Sequence, residues 1–355
     1  MKINFLTTGI SDKSGGAAYD KTFYEMLKIS YSDITLYDDE YFKQICKKDN
    51  ISLFEFNKLY KYMINELFDC DYLIMNSRIY TRFVMINIKK VRFYYKSVKV
   101  IVIHHHNNYM NNVRLKKIIH KYYELALLKM ATELIIPNQY IIDSLSKIKG
   151  ITSIKFLPSS FEKIEYPKST LNNKKLLFVG TVEPRKGIEY GLLAFNILHK
   201  VHNEYEFIIA GRTDADIKYY KRLVKYVEAN NLSESVCFEG RVTNDRLQVL
   251  YEKSDIFLFP SMLEGYGLVI IEAMGRGVPV IAFDNSAMPY TVKNGYNGRL
   301  IPNKDWKRMG KTLIEVLENS DTMKALQKGA IETYWSASSK DDLKRMTFEY
   351  IQSWD

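Results

Sequence analysis

The chain has 355 residues, 46% of them hydrophobic, which is enough for two domains that each bury a core. Its longest apolar runs, such as VIVI, IFLF and LVII, are of strand length, and the opening MKINFLTTG breaks too early for a signal peptide. No transmembrane helix and a cytoplasmic location are therefore expected. The formal net charge of +10 favours anionic partners, yet no helix-turn-helix, zinc or RNA-binding signature accompanies it, so no nucleic-acid partner is expected.

The first predicted element is a strand, KINFLTT, followed by a glycine-bearing loop, GISDKSGGAAYD, and a helical pattern from Tyr19 to Ile29. ITLYD, DYLIMNS, VKVIVIH and ELIIPN read as further strands. Between them lie the helix-like SLFEFNKLYKYMINELF, an amphipathic helix from Leu115 to Lys129 and the short helix QYIIDSLSKI. This alternation predicts a doubly wound parallel sheet of six strands by about residue 160. From Lys89 to Lys129 ten Lys and Arg face one acid, Glu124, interleaved with Phe93 to Tyr95 and Tyr122-Tyr123. Two readings of this stretch stand side by side, a solvated lysine-rich face and a surface for an anionic membrane, with the aromatics read as core packing. Cys46, Cys70 and Cys237 lie far apart, with no pair at metal-ligand spacing, and read as buried or idle thiols.

A polar linker, FEKIEYPKSTLNNKK, precedes a second alternation. It runs LLFVGTV, a helix from Gly187 to His202, EFIIAG, a helix from Ile217 to Asn230, VCFEGRV, and a helix from Asn244 to Lys253. DIFLFPS, the helical GLVIIEAM and the strand VPVIAF follow, then KNGYNGRLI as a tight turn entering a short strand. The expected domains are 1–165 and 166–340, with an amphipathic C-terminal helix, 341–355, packing back on the first. Two such domains facing one another would leave a cleft lined by the carboxyl ends of both sheets, which suits a substrate in two parts.

Chemistry concentrates in PSMLEGYGLVIIEAMGRGVPVIA, where Glu264 and Glu272 are separated by seven residues and Gly265 and Gly267 flank the first. The segment leaves the carboxyl end of a strand and enters a helix, whose free N–H groups favour a phosphate. Arg185 and Lys186 close another such strand-loop before Gly187 and a helix, where two cations suit a diphosphate leaving group. A third segment, FEGRVTND, ends a strand at Gly240 to Val242. Against these readings stand plainer ones. A glutamate pair at this spacing is commonly surface charge, a basic pair commonly a solvated face, and a cleft histidine need not take part in catalysis.

Gly180, Arg185-Lys186-Gly187, Gly240-Arg241-Val242, Pro260-Ser261, Glu264-Gly265-Tyr266-Gly267, Glu272, Gly277 to Ala282 and Gly295-Tyr296-Asn297-Gly298 occur in the order and spacing of a known pattern. In these residues the chain resembles the retaining, nucleotide-sugar-dependent glycosyltransferases of family 4, which have the GT-B fold of two Rossmann-like domains facing a cleft. The resemblance covers most of Leu176 to Pro302. It implies transfer of a sugar from a nucleotide-diphosphate donor to an acceptor hydroxyl, in polysaccharide or glycolipid assembly, by an N-terminal acceptor-binding and a C-terminal donor-binding domain. Arg185 and Lys186 would bind the diphosphate with the N–H groups of Gly267, Leu268 and Val269, within the donor loop Gly265 to Val269 that includes Tyr266. Glu264 would hold donor-sugar hydroxyls, Glu272 the ribose, and the backbone at Arg241 and Val242 the base.

In the first domain Gly15 and Gly16 occupy the first βα loop, where the family keeps glycines near phosphates and acceptor. His104-His105-His106 follow the strand KVIVI, and alignment favours His105 as the histidine that reaches the donor. Catalytic candidates are thus Glu264, His105, Arg185 and Lys186. Adjacent strand residues face opposite ways, so the three histidines cannot ligate one ion, and the family generally works without metal; no cofactor is expected. A glycan or lipid-linked acceptor and the inner membrane face are the expected partners beyond the donor. The chain departs from the family at Pro158 to Glu162 and at Pro289-Tyr290. Two rivals remain, a nucleotide-sugar epimerase of the same fold and a non-catalytic partner subunit.

Overall fold

The computed structural model describes residues 1–11, 15–83, 95–107, 114–151, 153–165 and 172–354. Lys89, Lys90, Arg92, Phe93 and Tyr94 of the basic stretch, and residues 166–171 of the linker, lie outside them. The chain forms two compact units, Met1–Glu162 with Ser338–Asp355, and Lys163–Ala337. No described helix is long and apolar enough to cross a membrane.

The first unit runs β1 (Ile3–Leu6), α1 (Gly15–Ser30), β2 (Ile34–Tyr37), α2 (Asp39–Cys46), α3 (Leu53–Tyr62), α4 (Ile64–Leu67) and β3 (Tyr72–Asn76). A 3-10 turn, Ser77–Phe83, leads to β4 (Lys99–Ile103), α5 (Arg114–Met130), β5 (Glu133–Ile136), α6 (Gln139–Leu145) and β6 (Ile154–Phe156). The strands form one parallel sheet in the order β2-β1-β3-β4-β5-β6. Alternate residues of β4 serve two cores. Ile101 and Ile103 join Phe5, Phe23 and Leu27, while Val100 and Val102 join Leu73, Leu127 and Leu134 on the other face. Period-two side chains that are apolar on both faces need helices on both, hence the double winding.

The C-terminal helix closes the first of these cores. Its capping box, Ser339 with Asp342, fixes its start, and Lys340 N–H donates to Phe161 O at 2.8 Å. It buries Leu343, Tyr350 and Ile351 against α1 and the sheet, each contributing about 1.5–3 kcal/mol by the area it removes from water.

The second unit runs β7 (Lys175–Val179), α7 (Ile188–His199), β8 (Glu206–Ala210), α8 (Ile217–Ala229), β9 (Val236–Gly240), α9 (Asn244–Glu252) and β10 (Ile256–Phe259). It continues with α10 (Leu268–Gly275), β11 (Val280–Asp284), α11 (Met288–Thr291), β12 (Gly298–Pro302), α12 (Trp306–Glu318) and α13 (Ser320–Ser336). Its parallel sheet has the order β12-β11-β10-β7-β8-β9. The chain builds outward from β7 in one direction, then returns to build outward from β10 in the other. β7 and β10 are therefore neighbours at the switch point, where loops diverge and leave a crevice.

The structure corrects several expectations. Gly15 and Gly16 are not loop residues but the first turn of α1, which begins four residues before Tyr19. α2, α12 and α13 were not anticipated, nor was β6 as an element: three residues long, with Lys155 and Phe156 exposed, it carries no alternation to read. Cys237 is exposed rather than buried.

Candidate functional site

At the switch point of the second sheet two loops are locked together by backbone. The loop after β7 carries Glu183, then a 3-10 turn, Pro184–Lys186, closed by Gly187 in the left-handed region at φ 62°. The loop after β10 runs from Pro260 to Gly267. Met262 N–H donates to Arg185 O at 2.9 Å, and the Arg185 Nη1 donates to Leu263 O at 2.8 Å. A Cβ on Gly187 would lie 2.1 Å from Pro260 O, so the two loops meet only because residue 187 has none.

This contact gathers the charged side chains. The Glu264 Oε1 accepts from Lys186 Nζ, from Arg185 Nη1 at 3.3 Å and from Ser261 Oγ at 3.0 Å. Arg185 Nη2 also donates to Glu183 Oε1 at 2.6 Å. The Lys186 and Glu264 side chains are only 12% and 10% exposed, so little water screens this pair. Lys186 Nζ also stands 5.3 Å over the Phe259 ring. Glu264 N–H donates to Ser286 Oγ at 3.0 Å, which ties the loop to the end of β11, and Asn285 Nδ2 reaches Ser261 O at 3.0 Å. Glu183, Ser261, Asn285 and Ser286 were not singled out as site residues. The readable signal for the last two is a polar pair at the carboxyl end of an apolar strand.

Beyond this cluster α10 begins at Leu268 with Gly267 as its N-cap, at φ 80° and with no side-chain cap. The first-turn N–H groups of Leu268 and Val269 thus open toward the same loop. Burial pushes the Tyr266 phenol up. One turn into α10, burial raises the Glu272 carboxyl, against the opposing effects of the Tyr251 hydroxyl, which donates to Oε2 at 2.9 Å, and of the Arg276 charge. Gly240 continues β9, its carbonyl accepting from Gly211 N–H at 2.8 Å. Arg241 is exposed there and Val242 half-buried. Arg185, Lys186, Ser261 and Glu264 form one direct cluster, while Glu272 sits on α10 and Arg241-Val242 after β9.

The first unit has its own polar cluster at its switch strands. Buried Asp20, on α1, accepts from Thr7 Oγ1 at 2.9 Å, Asn76 Nδ2 at 2.6 Å and His105 Nε2 at 3.0 Å. Those three follow or end β1, β3 and β4, which are adjacent in the sheet. Tyr19 meets the His105 ring edge-on at 5.1 Å, and a Cβ on Gly16 would touch that ring at 3.5 Å. Gly16 and His105 are thus brought together. His104 faces away and is fully buried between Ser77 Oγ at 2.8 Å and Asn107 Oδ1 at 3.0 Å, and burial pulls it down to about 4. Asp20 was missed, although it had a signal: it lies three residues before Phe23 and seven before Leu27, on the apolar stripe of α1.

Residues 160–333 match the family described as glycosyl transferases group 1. The match lies almost wholly in the second unit and covers just under half of the chain. Over 239 residues, 63% of its length, it is 29% identical to an uncharacterized 41.2 kDa protein in the cps region of Klebsiella pneumoniae, and the match covers 62% of that relative. Sucrose-phosphate synthase from Thermosynechococcus elongatus aligns with all of the chain and 99% of its own, at TM-score 0.75 and 17% identity. HepE of Anabaena, solved in complex with UDP, aligns with 99% of the chain and 100% of its own, at TM-score 0.74 and 16% identity. At such identity the likeness is one of fold, the two-sheet GT-B architecture. Within the second unit the last motif, Gly295 to Gly298, is structural. Buried Asn297 accepts from Lys293 N–H at 2.7 Å and donates to Thr291 O at 3.0 Å and Thr333 Oγ1 at 2.8 Å, pinning the turn to α11 and α13.

Proposed function

We propose that the chain is a retaining glycosyltransferase that moves a sugar from a nucleotide-diphosphate donor to an acceptor hydroxyl. The observation that carries this reading is the Arg185-Lys186 pair held against Glu264 at the switch point of the second sheet. A donor diphosphate would take over the two cations and free Glu264 to accept from sugar hydroxyls. As the bond from C1 to the diphosphate breaks, Arg185, Lys186 and the α10 N–H groups would hold the growing negative charge. The acceptor oxygen would join C1 and its proton leave with the diphosphate. Two side-chain cations beside a helix start supply the positive charge, so the reading calls for no metal. Glu272 would meet the ribose, and the backbone at Arg241-Val242 the base. Retention rests on the resemblance to family 4, and the UDP held by HepE supports a nucleotide in this fold.

The acceptor is read as a glycan or lipid-linked molecule reached at the inner membrane face. Exposed Ile118, Ile119 and Tyr122 beside Lys117 and Lys121 on α5 support that reading. Co-sedimentation with anionic and neutral vesicles tests it, and equal absence from both removes it.

A thermal-shift panel of UDP-, GDP- and ADP-sugars should select one donor through its stabilisation of the fold. The double variant Arg185→Ala/Lys186→Ala should stay folded and lose most turnover; full activity would overturn the assignment. Product NMR should show the donor's anomeric configuration kept.

A further inference from the structure

We infer that Asp20 is a positioning residue that sets the tautomer of His105, so that the imidazole offers Nδ1 as a hydrogen-bond acceptor to a substrate hydroxyl; the hydroxyl's identity as a sugar's rests on the function proposed above. The geometry carries this. An ionised carboxylate only accepts hydrogen bonds, and Asp20 Oδ1 lies 3.0 Å from His105 Nε2, which must therefore carry a proton. The other oxygen accepts from Thr7 Oγ1 and Asn76 Nδ2, so three donors hold the carboxylate and it cannot turn away. Asp20 is 1% exposed and His105 11%. Among the described residues Nδ1 has no partner.

The ring itself is fixed. Tyr19 packs edge-on against it, and the Tyr19 hydroxyl is tied to Leu157 O at 2.8 Å. Asn138 Nδ2 holds the His105 carbonyl at 3.2 Å. A histidine that only filled space would need neither a buried carboxylate nor a second and third donor to that carboxylate. The arrangement instead resembles the way outer partners set the tautomer and aim of an imidazole that works at its other nitrogen.

Asp20→Asn tests the assignment. Its amide oxygen can still accept from Thr7 and Asn76, which turns its NH₂ toward His105 Nε2 and favours the Nδ1–H tautomer. Nitrogen-15 NMR of the side chains, with His105→Gln to assign the signals, should show Nε2–H in the parent chain and a change toward Nδ1–H in Asp20→Asn, with the melting temperature preserved. An Nδ1–H tautomer in the parent chain, or no change in the variant, overturns the inference. Kinetics with UDP-glucose, GDP-mannose and ADP-glucose in turn give a second arm. Asp20→Asn should lower kcat about 10- to 100-fold with little change in KM, and should cost nothing further in the His105→Gln background. Additive losses would instead mark Asp20 as structural. If the parent chain turns over none of these donors, the proposed function fails while the tautomer still decides the role of Asp20.

Discussion

Replacing Gly187 by alanine, measured against Gly240→Ala, isolates the contact that builds the cluster of Arg185, Lys186 and Glu264. Both glycines are left-handed, at φ 62° and 68°, so each alanine carries about 1–2 kcal/mol of backbone strain. They differ in what a Cβ meets: nothing within 4 Å at 240, but Pro260 O at 2.1 Å at 187. Reaching an ordinary contact of 3.4 Å requires the two loops to part by about 1.3 Å, the difference of those distances. Pro260 O is backbone, so the overlap is relieved only by moving a strand end, at about 1–3 kcal/mol. Gly187→Ala should thus destabilise the chain by about 2–5 kcal/mol and Gly240→Ala by about 1–2 kcal/mol. A shift of that size also stretches the bonds from Met262 N–H to Arg185 O and from Arg185 to Leu263 O, and should lower transfer about 100-fold. Calorimetry of both full-length variants, followed by turnover of the selected donor, checks both effects. Equal stability losses, or full turnover in Gly187→Ala, would refute the reasoning.

Asn297→Ala should cost about 2–4 kcal/mol, because it strands the Lys293 N–H and the Thr291 carbonyl and removes the donor to Thr333 Oγ1, yet leave the donor KM unchanged; urea unfolding and kinetics separate the two. His104 is held near 4 in the folded chain against 6.5 when unfolded. The unfolded chain therefore binds the extra proton between those values, and stability of roughly 3 kcal/mol present above 6.5 is lost as pH falls toward 4. His104→Gln should flatten that part of the pH–stability curve. Glu272 has the opposite sign: raised above 4.5, it keeps its proton in the folded chain to a higher pH than in the unfolded chain, so its burial cost grows as pH rises through that window. If its carboxylate holds the ribose, nucleotide affinity should weaken on acidification sooner than an ordinary glutamate dictates, and calorimetry on Glu272→Gln should show a weaker, pH-independent affinity.

The parallel strands were legible because their residues are apolar on both faces, and the loops after β7 and β10 because Arg185-Lys186-Gly187 and Glu264-Gly265-Tyr266-Gly267 stand in fixed relation to those strands. What the spacing could not convey was which residues touch. Glu264 and Lys186 are 78 positions apart and meet only because β7 and β10, far apart in sequence, are neighbours in the sheet. Thr7, Asp20, Asn76 and His105 are likewise spread over four elements, and nothing local to any of them marks the others. His105 was named through the resemblance; of the other three, Asp20 was open to inference, as a charge on an apolar stripe. The start of α1 was misread because two glycines favour a loop by propensity, whereas Phe23 and Leu27, packed into the core, hold the helix in place.

The charges of the proposed donor site neutralise one another, and this gives Glu264 a measurable signature. Its Oε1 serves both Lys186 and Arg185, so any diphosphate must displace it from two cations. A nucleotide sugar returns hydroxyl donors to the freed carboxylate; a bare nucleoside diphosphate returns none and leaves it, 10% exposed, with Ser261 Oγ but without its two cations. Glu264→Gln removes the competing charge and also the strongest acceptor for sugar hydroxyls. The variant should therefore bind the nucleoside diphosphate as tightly as the parent chain or more tightly, while its affinity for the nucleotide sugar falls about tenfold or more. Titration calorimetry of the parent and variant with both ligands gives the four affinities. Equal weakening of both ligands would mean that Glu264 orders the loop without facing the sugar. Selective loss of the nucleotide sugar assigns the carboxylate to the sugar, because bare diphosphate contacts cannot distinguish the two ligands.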